Sequence, residues 1–302
     1  MKVFMTGGTG FVGSNLRAWM VHEGHTVTVL TRSVDRKRSF PAGALYLEGD
    51  PKSGGEWQQK VAEHDVVLNL AGSSIFRRWN PSVKEAIRES RILTTQRIVE
   101  ALAARKGKET TLLSTSGVGY YGFHDDEKLD EASPAGDDFL ATVSREWEAE
   151  ALKASEFGVR VVLLRFGIVL GTGGGALKRM IPLFKSYLGS PLGDGGQWFS
   201  WIHEQDLAGI YLHLLKDTAI SGPVNCTAPN PVRNIELTEV LGQVLSRPTF
   251  MPAVPEFVLK MTMGEFGSVL LKGQRAVPRK LMDSGFHFRF PELRGALEDL
   301  VG

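Results

Sequence analysis

Cysteine is almost absent from this sequence, which contains only Cys226 among its 302 residues. A single cysteine excludes an internal disulfide framework and any metal site built from several cysteines, and it fits a reducing compartment. Because Cys226 lies in an apolar stretch, we interpret it as a core residue. His22 and His25 are close in sequence, but they lack a third ligand. The sequence therefore predicts no metal site.

The sequence also lacks an excess of charge of one sign. Lys and Arg together number 35 and Asp and Glu 34, which gives a formal net charge of +1. Such a balance produces no global field that would attract nucleic acid or an anionic membrane surface. It favours a small molecule as the partner.

Long apolar runs are missing as well. The N-terminal residues pass directly into a glycine-rich segment without the apolar core of a signal peptide, and the apolar stretch 159–171 contains Arg160 and Arg165. We expect neither a targeting segment nor a membrane span, and we predict a cytoplasmic location.

What the sequence does contain is a regular alternation of short apolar runs with segments of helical period. Strands are predicted at 3–5, 26–30, 66–70, 111–113 and 159–164, and a first helix at 11–23. This pattern is typical of βαβ units, so the expected fold class is α/β, a doubly wound parallel (Rossmann) sheet.

The last quarter of the chain has a different composition. Proline becomes frequent after about residue 222, which indicates short elements joined by fixed turns. We predict a Rossmann-like domain over residues 1–235 and a small C-terminal α+β lobe on the substrate side over 236–302. As an alternative within this division, residues 172–200 contribute to that lobe.

A glycine-rich loop joins the first strand to the first helix. Gly7 permits the tight turn, Gly10 lets a pyrophosphate approach the backbone, and Gly13 allows close packing of the helix, whose N-terminus attracts phosphate. A structural turn is the alternative, but the strand before the loop and the helix after it favour a dinucleotide site. The predicted cofactor contacts here are Thr6, Gly7, Thr9, Gly10, Phe11, Val12 and Gly13.

The end of the second strand indicates which dinucleotide binds. An acidic residue there would bind a ribose 2′-hydroxyl, whereas this sequence has Thr31, Arg32 and Ser33, and the basic segment 36–38 (Arg36, Lys37, Arg38) follows. A guanidinium and hydroxyls suit a 2′-phosphate, so NADP(H) is the predicted cofactor. A solvated charge run is the alternative.

Two further segments complete the predicted cofactor site. Small residues follow the fourth strand at Leu70, Ala71 and Gly72, where the backbone would run beside the cofactor; a plain turn is the alternative. Arg91, on the next helix, is predicted to reach the cofactor or an anionic substrate, with a surface ion pair as the alternative.

Blocks along the whole chain resemble one protein family. The general blocks are TGGTGFVG at 6–13, NLAG at 69–72, STSGVGYYG at 114–122 and RFGIVLG at 165–171. The more specific ones are Trp79, SR at 90–91, WE at 147–148, GGGAL at 173–177, WIH at 201–203, DL at 206–207, GPVN at 222–225, AP at 228–229, GF at 285–286, Phe288 and Pro291. The chain resembles the atypical extended short-chain dehydrogenases/reductases called epimerase-family proteins. The resemblance implies an NADP-binding Rossmann core and adds Phe166 and Gly167 to the cofactor contacts.

The catalytic pair of that superfamily is missing. Its ordinary members carry YxxxK on a helix, where a lysine and the oxidised nicotinamide lower the tyrosine pKa enough for proton transfer. None of the five tyrosines has a lysine four residues later. Counted back from Glu148, the two positions hold Leu140 and Ser144. Neither side chain can carry out that proton transfer.

Ser116 and Tyr121 are the remaining catalytic candidates. Ser116, or its neighbour Thr115, stands at the strand end where the superfamily places a substrate-binding hydroxyl, although hydroxyls also cap strand ends. Tyr121, or Tyr120, would supply an acid or simply pack in the core.

Two segments point to the substrate side. Residues 171–175 (GTGGG) precede a helix and would either hold an anion or serve as a conformational loop. The aromatic side chains near residue 200 would either stack on a sugar or base or form a buried corner. They are Trp198, Phe199, Trp201 and His203.

The sequence leaves two hypotheses for the function. The first is an NADP(H)-dependent oxidoreductase or epimerase that acts on a small polar, nucleotide-sugar-like substrate without YxxxK. The second is a non-catalytic NADP(H) sensor. Neither the substrate nor the oligomeric state follows from the sequence, and a homodimer stays open.

Overall fold

The computed structural model describes residues 1–34, 43–105 and 109–302. The strands in this part are β1 (Lys2–Thr6), β2 (Thr26–Thr31), β3 (Ala44–Glu48), β4 (Val66–Asn69), β5 (Thr111–Gly117), β6 (Lys128–Leu129), β7 (Arg160–Phe166), β8 (Ile168–Leu170), β9 (Trp198–Phe199), β10 (Trp201–His203), β11 (Gly222–Cys226), β12 (Val232–Arg233) and β13 (Arg275–Ala276). The helices are α1 (Phe11–His22), α2 (Trp57–Val61), α3 (Pro81–Ala103), α4 (Phe139–Leu152), α5 (Leu177–Lys185), α6 (Glu204–Lys216), α7 (Asn234–Val244), α8 (Glu256–Met263), α9 (Glu265–Val269), α10 (Arg279–Asp283) and α11 (Leu293–Val301).

Seven of these strands form one parallel sheet in the order β11-β7-β5-β4-β1-β2-β3. The chain turns back between β1 and β4, and at such a switch point the carboxyl ends of the strands open into a crevice that binds ligands in α/β sheets. The predicted fold class is confirmed. The region after residue 236 is mainly helical, with β13 as its one short strand among the described residues.

Both faces of the sheet are buried, as expected for a parallel sheet covered by helices. In β1, Val3 and Met5 face the layer that contains α1 and α6, whereas Phe4 faces the layer of α2, α3 and α4. Successive side chains of a strand point to opposite faces, so an uninterrupted apolar run serves both layers. This explains the continuous apolar runs 3–5 of β1 and 66–68 of β4 in the sequence.

The predicted element boundaries are close to the observed ones. Helix α1 ends at His22, and Gly24 follows with φ of +78°, the left-handed conformation that favours glycine after a helix. The apolar run that predicted β5 ends at residue 113, but the strand continues to Gly117, which pairs with Phe166 of β7. The extension consists of hydroxyl residues and glycine, and pairing with β7 holds it in the sheet.

A third apolar cluster lies between α5, α7 and α11 and includes Trp201. Asp206 of α6 fixes the segment before α11, because its carboxylate accepts hydrogen bonds from the backbone N–H of Arg289 (2.7 Å) and of Phe290 (2.9 Å). The fully buried His203 ring stacks on Phe290 at 3.9 Å between ring centres. The motif residues 201–206 therefore dock the C-terminal segment.

His203 makes the fold sensitive to acid. Burial lowers its pKa from 6.5 to about 4, although Asp299, at 3.3 Å, opposes the shift. The unfolded chain therefore binds the proton more tightly, and stability that is full above pH 6.5 falls as the pH approaches 4. We expect this residue to account for a loss of about 3 kcal/mol over that window. Urea unfolding at several pH values should show a shallower acid slope for His203→Gln, and no change for the exposed His22→Gln; equal slopes for His203→Gln and the unaltered protein would contradict the assignment.

In the described residues, none of the helices has the length and apolar character that a membrane span requires. The same residues contain no group of three or more His, Cys, Asp or Glu side chains able to hold a metal ion. Cys226 is a free, buried thiol, and burial raises its pKa.

Candidate functional site

The glycine loop between β1 and α1 has no room for side chains. Gly7 has φ of +69°, and a Cβ there would lie 2.7 Å from the Leu70 carbonyl carbon. A Cβ on Gly13 would lie 2.2 Å from the Gly7 carbonyl oxygen. The Gly10 N–H donates to that same oxygen at 3.0 Å and closes the turn. The loop is thus pressed against the segment after β4 and leaves bare backbone at the crevice.

Helix α1 begins with unpaired donors. Gly10 provides no side-chain cap, and the first turn contains no acidic residue. The backbone N–H groups of Phe11, Val12 and Gly13 donate to no carbonyl of the described residues, and the first helical bond is from Ser14 to Gly10 at 2.8 Å. These donors and the helix dipole form a site for an anion such as a pyrophosphate. The chain therefore fits a dinucleotide at this position.

A buried network of hydrogen bonds holds the strand ends under the loop. Asn69 accepts from the Thr6 hydroxyl at 2.9 Å and donates to Thr95 at 2.8 Å and to Ser114 at 3.2 Å. Thr95 also accepts from the Trp147 indole at 2.8 Å. Residues of β1, β4, β5, α3 and α4 are thereby fixed relative to one another.

The end of β2 presents a cation, Arg32, that pairs with no described residue. Arg32 and Ser33 are exposed, and the Thr31 hydroxyl donates to the Ser33 carbonyl at 3.3 Å. The structure shows no ion pair between Arg32 and any residue that it describes. Residues 36–38, which belong to the predicted basic segment, lie outside the described residues. Arg32 is thus available to a phosphate at this end of the crevice.

Arg91 lies at the other side of the glycine loop, beside the end of β4. Its Nη1 donates to the carbonyls of Ser73 (3.1 Å) and Ile87 (2.9 Å), and its guanidinium carbon lies 5.2 Å from the centre of the Trp147 ring. A Cβ on Gly72 would lie 3.2 Å from that carbon. Burial lowers the pKa of Arg91 to about 10, so the side chain stays charged at neutral pH.

Ser116 is 4% exposed and forms a hydrogen bond to the buried ion pair of Glu148 and Arg165. Its hydroxyl donates to Glu148 at 2.7 Å, and Arg165 binds the same carboxylate through Nε and Nη2, both at 2.8 Å. Burial alone would lower the pKa of Arg165, but the bonds and charge of Glu148 outweigh it and raise the pKa. Because the proton of Ser116 is directed at Glu148, only its lone pairs are left for a ligand.

Tyr121 extends this network and is fully buried. Its hydroxyl donates to Asn225 at 2.7 Å and accepts from Arg165 at 3.0 Å. Burial raises the pKa of Tyr121 to about 12, although Arg165 opposes the shift. The guanidinium of Arg165 also lies 3.4 Å from the centre of the Tyr120 ring. The catalytic roles predicted for Ser116 and Tyr121 stay predictions, and these contacts favour a structural role.

The positions that hold Tyr and Lys in ordinary relatives are apolar or small here. Leu140 packs in a cluster formed by Trp79, Phe266 and neighbouring apolar side chains. Ser144, one turn later in α4, is buried. The Leu140 side chain has no proton to offer to the crevice.

Phe166 and Gly167 lie at the carboxyl end of β7. The Phe166 ring contacts Tyr211 edge to face, with 6.4 Å between ring centres. Gly167 donates to the Cys226 carbonyl at 3.1 Å, and a Cβ there would lie 2.7 Å from the Ser200 carbonyl oxygen. Their predicted cofactor contact stays a prediction, and the structure shows that close packing requires Gly167.

The second glycine-rich segment, residues 171–175, packs against Phe11 at the start of α1, directly after the first glycine loop. A Cβ on Gly174 or Gly175 would lie 2.7 or 2.9 Å from Phe11, so this loop lies flat on the Phe11 ring. The carboxylate of Glu204 accepts a hydrogen bond from the backbone of Thr172. A carboxylate of the protein itself therefore occupies a backbone donor of this loop. Residues 171–175 were expected either to hold an anion or to serve as a conformational loop, and these contacts favour the conformational loop.

The aromatic cluster near residue 200 divides in two. Phe199, Trp201 and His203 form a buried corner, whereas Trp198 is partly exposed. The Trp198 ring lies between the guanidinium groups of Arg233 (4.1 Å) and Arg275 (4.4 Å). Sequence reasoning missed both this stack and the ion pair of Arg165. The one available signal was an arginine within the apolar strand β7.

Comparison with known proteins agrees with this geometry. The model of the "NAD dependent epimerase/dehydratase family" matches residues 3–226, and that of a "Domain of unknown function (DUF1731)" matches residues 254–300. The chain is 42% identical over its whole length to the epimerase family protein SDR39U1 homolog, chloroplastic, of Arabidopsis thaliana, and covers 87% of it. It is 38% identical to the epimerase family protein YfhF of Bacillus subtilis, with 100% of this chain and 98% of that protein covered.

A solved structure also matches an epimerase family protein. The crystal structure of human epimerase family protein SDR39U1 (isoform2) with NADPH superposes with a TM-score of 0.86 at 33% identity, and 99% of each chain is covered. Nucleotide-sugar epimerases such as the UDP-glucuronic acid 4-epimerase of Bacillus cereus (17% identity, TM-score 0.79, 99% of this chain and 97% of that one) share the fold. With its glycine loop, sheet order and C-terminal segment, the chain belongs to the NAD dependent epimerase/dehydratase family.

Proposed function

We propose that this protein binds NADP(H) in the crevice at the carboxyl ends of β1, β2 and β4. The observation that carries the proposal is the bare start of α1, where N–H groups without a partner among the described residues meet a loop that excludes side chains. The free N–H groups of Phe11, Val12 and Gly13 would hold the pyrophosphate, and Arg32 with Ser33 would hold the 2′-phosphate. The human relative crystallised with NADPH supports the same cofactor.

We further propose a reaction class, that of an oxidoreductase or epimerase acting on a small polar, nucleotide-sugar-like substrate. Bound nicotinamide supplies a hydride donor or acceptor, and the fold shared with nucleotide-sugar epimerases supports this substrate class. In this chain Leu140 and Ser144 transfer no proton, so a proton would have to come from another group or from water. The proposed cytoplasmic location rests on the single cysteine, and a homodimer stays a prediction.

A non-catalytic NADP(H) sensor is the second candidate. It is favoured by the apolar surroundings of Leu140 and by the Tyr121 hydroxyl, whose bonds to Asn225 and Arg165 keep it inside the protein. The two candidates differ in turnover. An oxidoreductase would change nicotinamide absorbance when a panel of UDP-sugars and small carbonyl compounds is added. An epimerase returns the hydride to its substrate, so it would leave the absorbance unchanged but convert a sugar into its epimer, which chromatography detects. A sensor would bind NADPH and do neither with any of these compounds.

Arg32→Ala tests the cofactor assignment. Removing a guanidinium that pairs with a phosphate costs about 1.5 to 3 kcal/mol, so NADPH should bind about 10- to 100-fold more weakly. NADH has no 2′-phosphate, and its affinity should change less than about twofold. Calorimetric titration of both nucleotides measures the two effects.

The matched control for this substitution is Arg294→Ala, which removes an exposed arginine from α11. It should leave both affinities unchanged. Should Arg32→Ala weaken NADPH and NADH equally, or neither of them, Arg32 would not hold the 2′-phosphate.

A further inference from the structure

We propose that Arg91 supplies, from helix α3, the positive charge that helix α4 lacks, and that this charge makes the crevice select NADPH over NADP⁺. The inference rests on the proposed function, because it requires that the nicotinamide cofactor lie in this crevice. It adds a residue that controls which redox state of the cofactor is bound.

The topology places Arg91 in the nicotinamide half of the crevice. The 2′-phosphate end is at Arg32 after β2, and the pyrophosphate lies at the start of α1, beside β1. The cofactor must therefore extend in the opposite direction along the sheet, over β4 and β5. The guanidinium of Arg91 lies against Gly72, which follows β4, and faces Trp147 of α4.

The register of α4 relates Arg91 to the missing lysine. Ser144 occupies the lysine position of the family pattern, and Trp147 lies three residues later, on the same face of the helix. Serine is too short to extend into the crevice. The guanidinium that stacks over Trp147 at 5.2 Å therefore stands next to the turn from which a lysine would have extended.

The charge of Arg91 is not neutralised within the described residues. Its Nη1 donates to the backbone carbonyls of Ser73 and Ile87, and no described carboxylate forms an ion pair with it. Arg165 differs, since Glu148 binds it through two hydrogen bonds. The field of Arg91 is therefore available to a ligand in the crevice.

A cation at this place distinguishes the two forms of the cofactor by one charge. The oxidised nicotinamide ring carries a positive charge and the reduced ring carries none, whereas the phosphates are the same in both forms. Repulsion by Arg91 therefore lowers the affinity for NADP⁺ alone. Two like unit charges about 6 Å apart in a partly buried site repel each other strongly enough to produce at least about a tenfold difference in affinity.

The experiment measures the dissociation constants of NADPH and NADP⁺ for the full chain and three variants. The unaltered protein should bind NADPH at least about tenfold more tightly than NADP⁺. Arg91→Gln should reduce the ratio to about threefold or less, whereas Arg91→Lys, which keeps the charge, should retain most of it. Arg88→Gln is the matched control from the same helix, because Arg88 is an exposed arginine paired with Glu146, and it should leave the ratio unchanged.

Three results separate the outcomes. Equal affinity of the unaltered protein for NADPH and NADP⁺ overturns the inference, even when Arg91→Gln does not fold. An unchanged ratio in Arg91→Gln overturns it too, and if both affinities fall by the same factor, Arg91 contacts the phosphates instead. If the unaltered protein binds neither nucleotide, the proposed function itself fails.

Discussion

Gly13→Ala is expected to weaken NADPH binding by at least about a hundredfold, a loss of about 2.7 kcal/mol. The added Cβ would lie 2.2 Å from the Gly7 carbonyl oxygen and 2.7 Å from the Gly8 Cα. Both are backbone atoms, so no side-chain rotation relieves the contact, and the loop must move away from α1. The free N–H groups would then no longer converge on one phosphate. Titration followed by NADPH fluorescence measures the effect.

Gly295→Ala is the matched control for this substitution. Gly295 belongs to α11, and a Cβ there would have no neighbour within 4 Å. This variant should bind NADPH like the unaltered protein and be slightly more stable, because alanine favours helix. If Gly13→Ala folds, as judged by circular dichroism, and binds NADPH with unchanged affinity, the loop between β1 and α1 is not the cofactor site.

Arg165→Met should lower the free energy of unfolding by about 3 to 5 kcal/mol. Arg165 and Glu148 are 3% and 6% exposed in their side chains, so the substitution leaves a carboxylate buried without its partner. The same change also removes the donor to the Tyr121 hydroxyl. Urea unfolding followed by tryptophan fluorescence measures the loss.

Two comparisons show whether the loss comes from the unpaired charge. Arg88→Met breaks the exposed pair with Glu146 and should cost less than about 1 kcal/mol. Combining Arg165→Met with Glu148→Gln removes both charges and should be less destabilising than the sum of the two single substitutions. Strict additivity, or a cost for Arg165→Met as small as that for Arg88→Met, would mean that the ion pair contributes little.

The sequence predicted those features that depend on neighbouring residues. The turn at Gly7, the start of α1 at Phe11 and the end of that helix before Gly24 are each determined by a few adjacent residues, and the structure agrees. Alternating strands and helices also predicted the parallel sheet, because short crossover connections leave few other arrangements.

Contacts between distant residues could not be predicted in this way. Tyr121 bonds Asn225, which is 104 residues away, and Arg165 reaches Glu148 on another element. No periodicity marks either pair. Phe11 was predicted from the local pattern as a cofactor contact, but only the folded chain shows the loop 171–175 resting on its ring.

The surroundings of Arg91 could not be predicted from neighbouring residues either. Its sequence neighbourhood is an ordinary helix with charged residues, and a surface ion pair was one of its two interpretations. The structure shows no such ion pair among the described residues, since the side chain turns toward Gly72 and Trp147 and bonds to carbonyl oxygens, and the contact with a ligand stays a prediction. What sets it apart is the position of α3 relative to β4 and α4, which depends on the whole sheet.

We propose that the crevice above β1, β2 and β4 binds NADP(H). Calorimetric titration of the unaltered protein with NADPH and with NADH in the same buffer tests it most directly. We expect one NADPH bound per chain, at least about tenfold more tightly than NADH, because only NADPH offers a 2′-phosphate to Arg32. Equal affinity for the two nucleotides, or binding of neither, would contradict it.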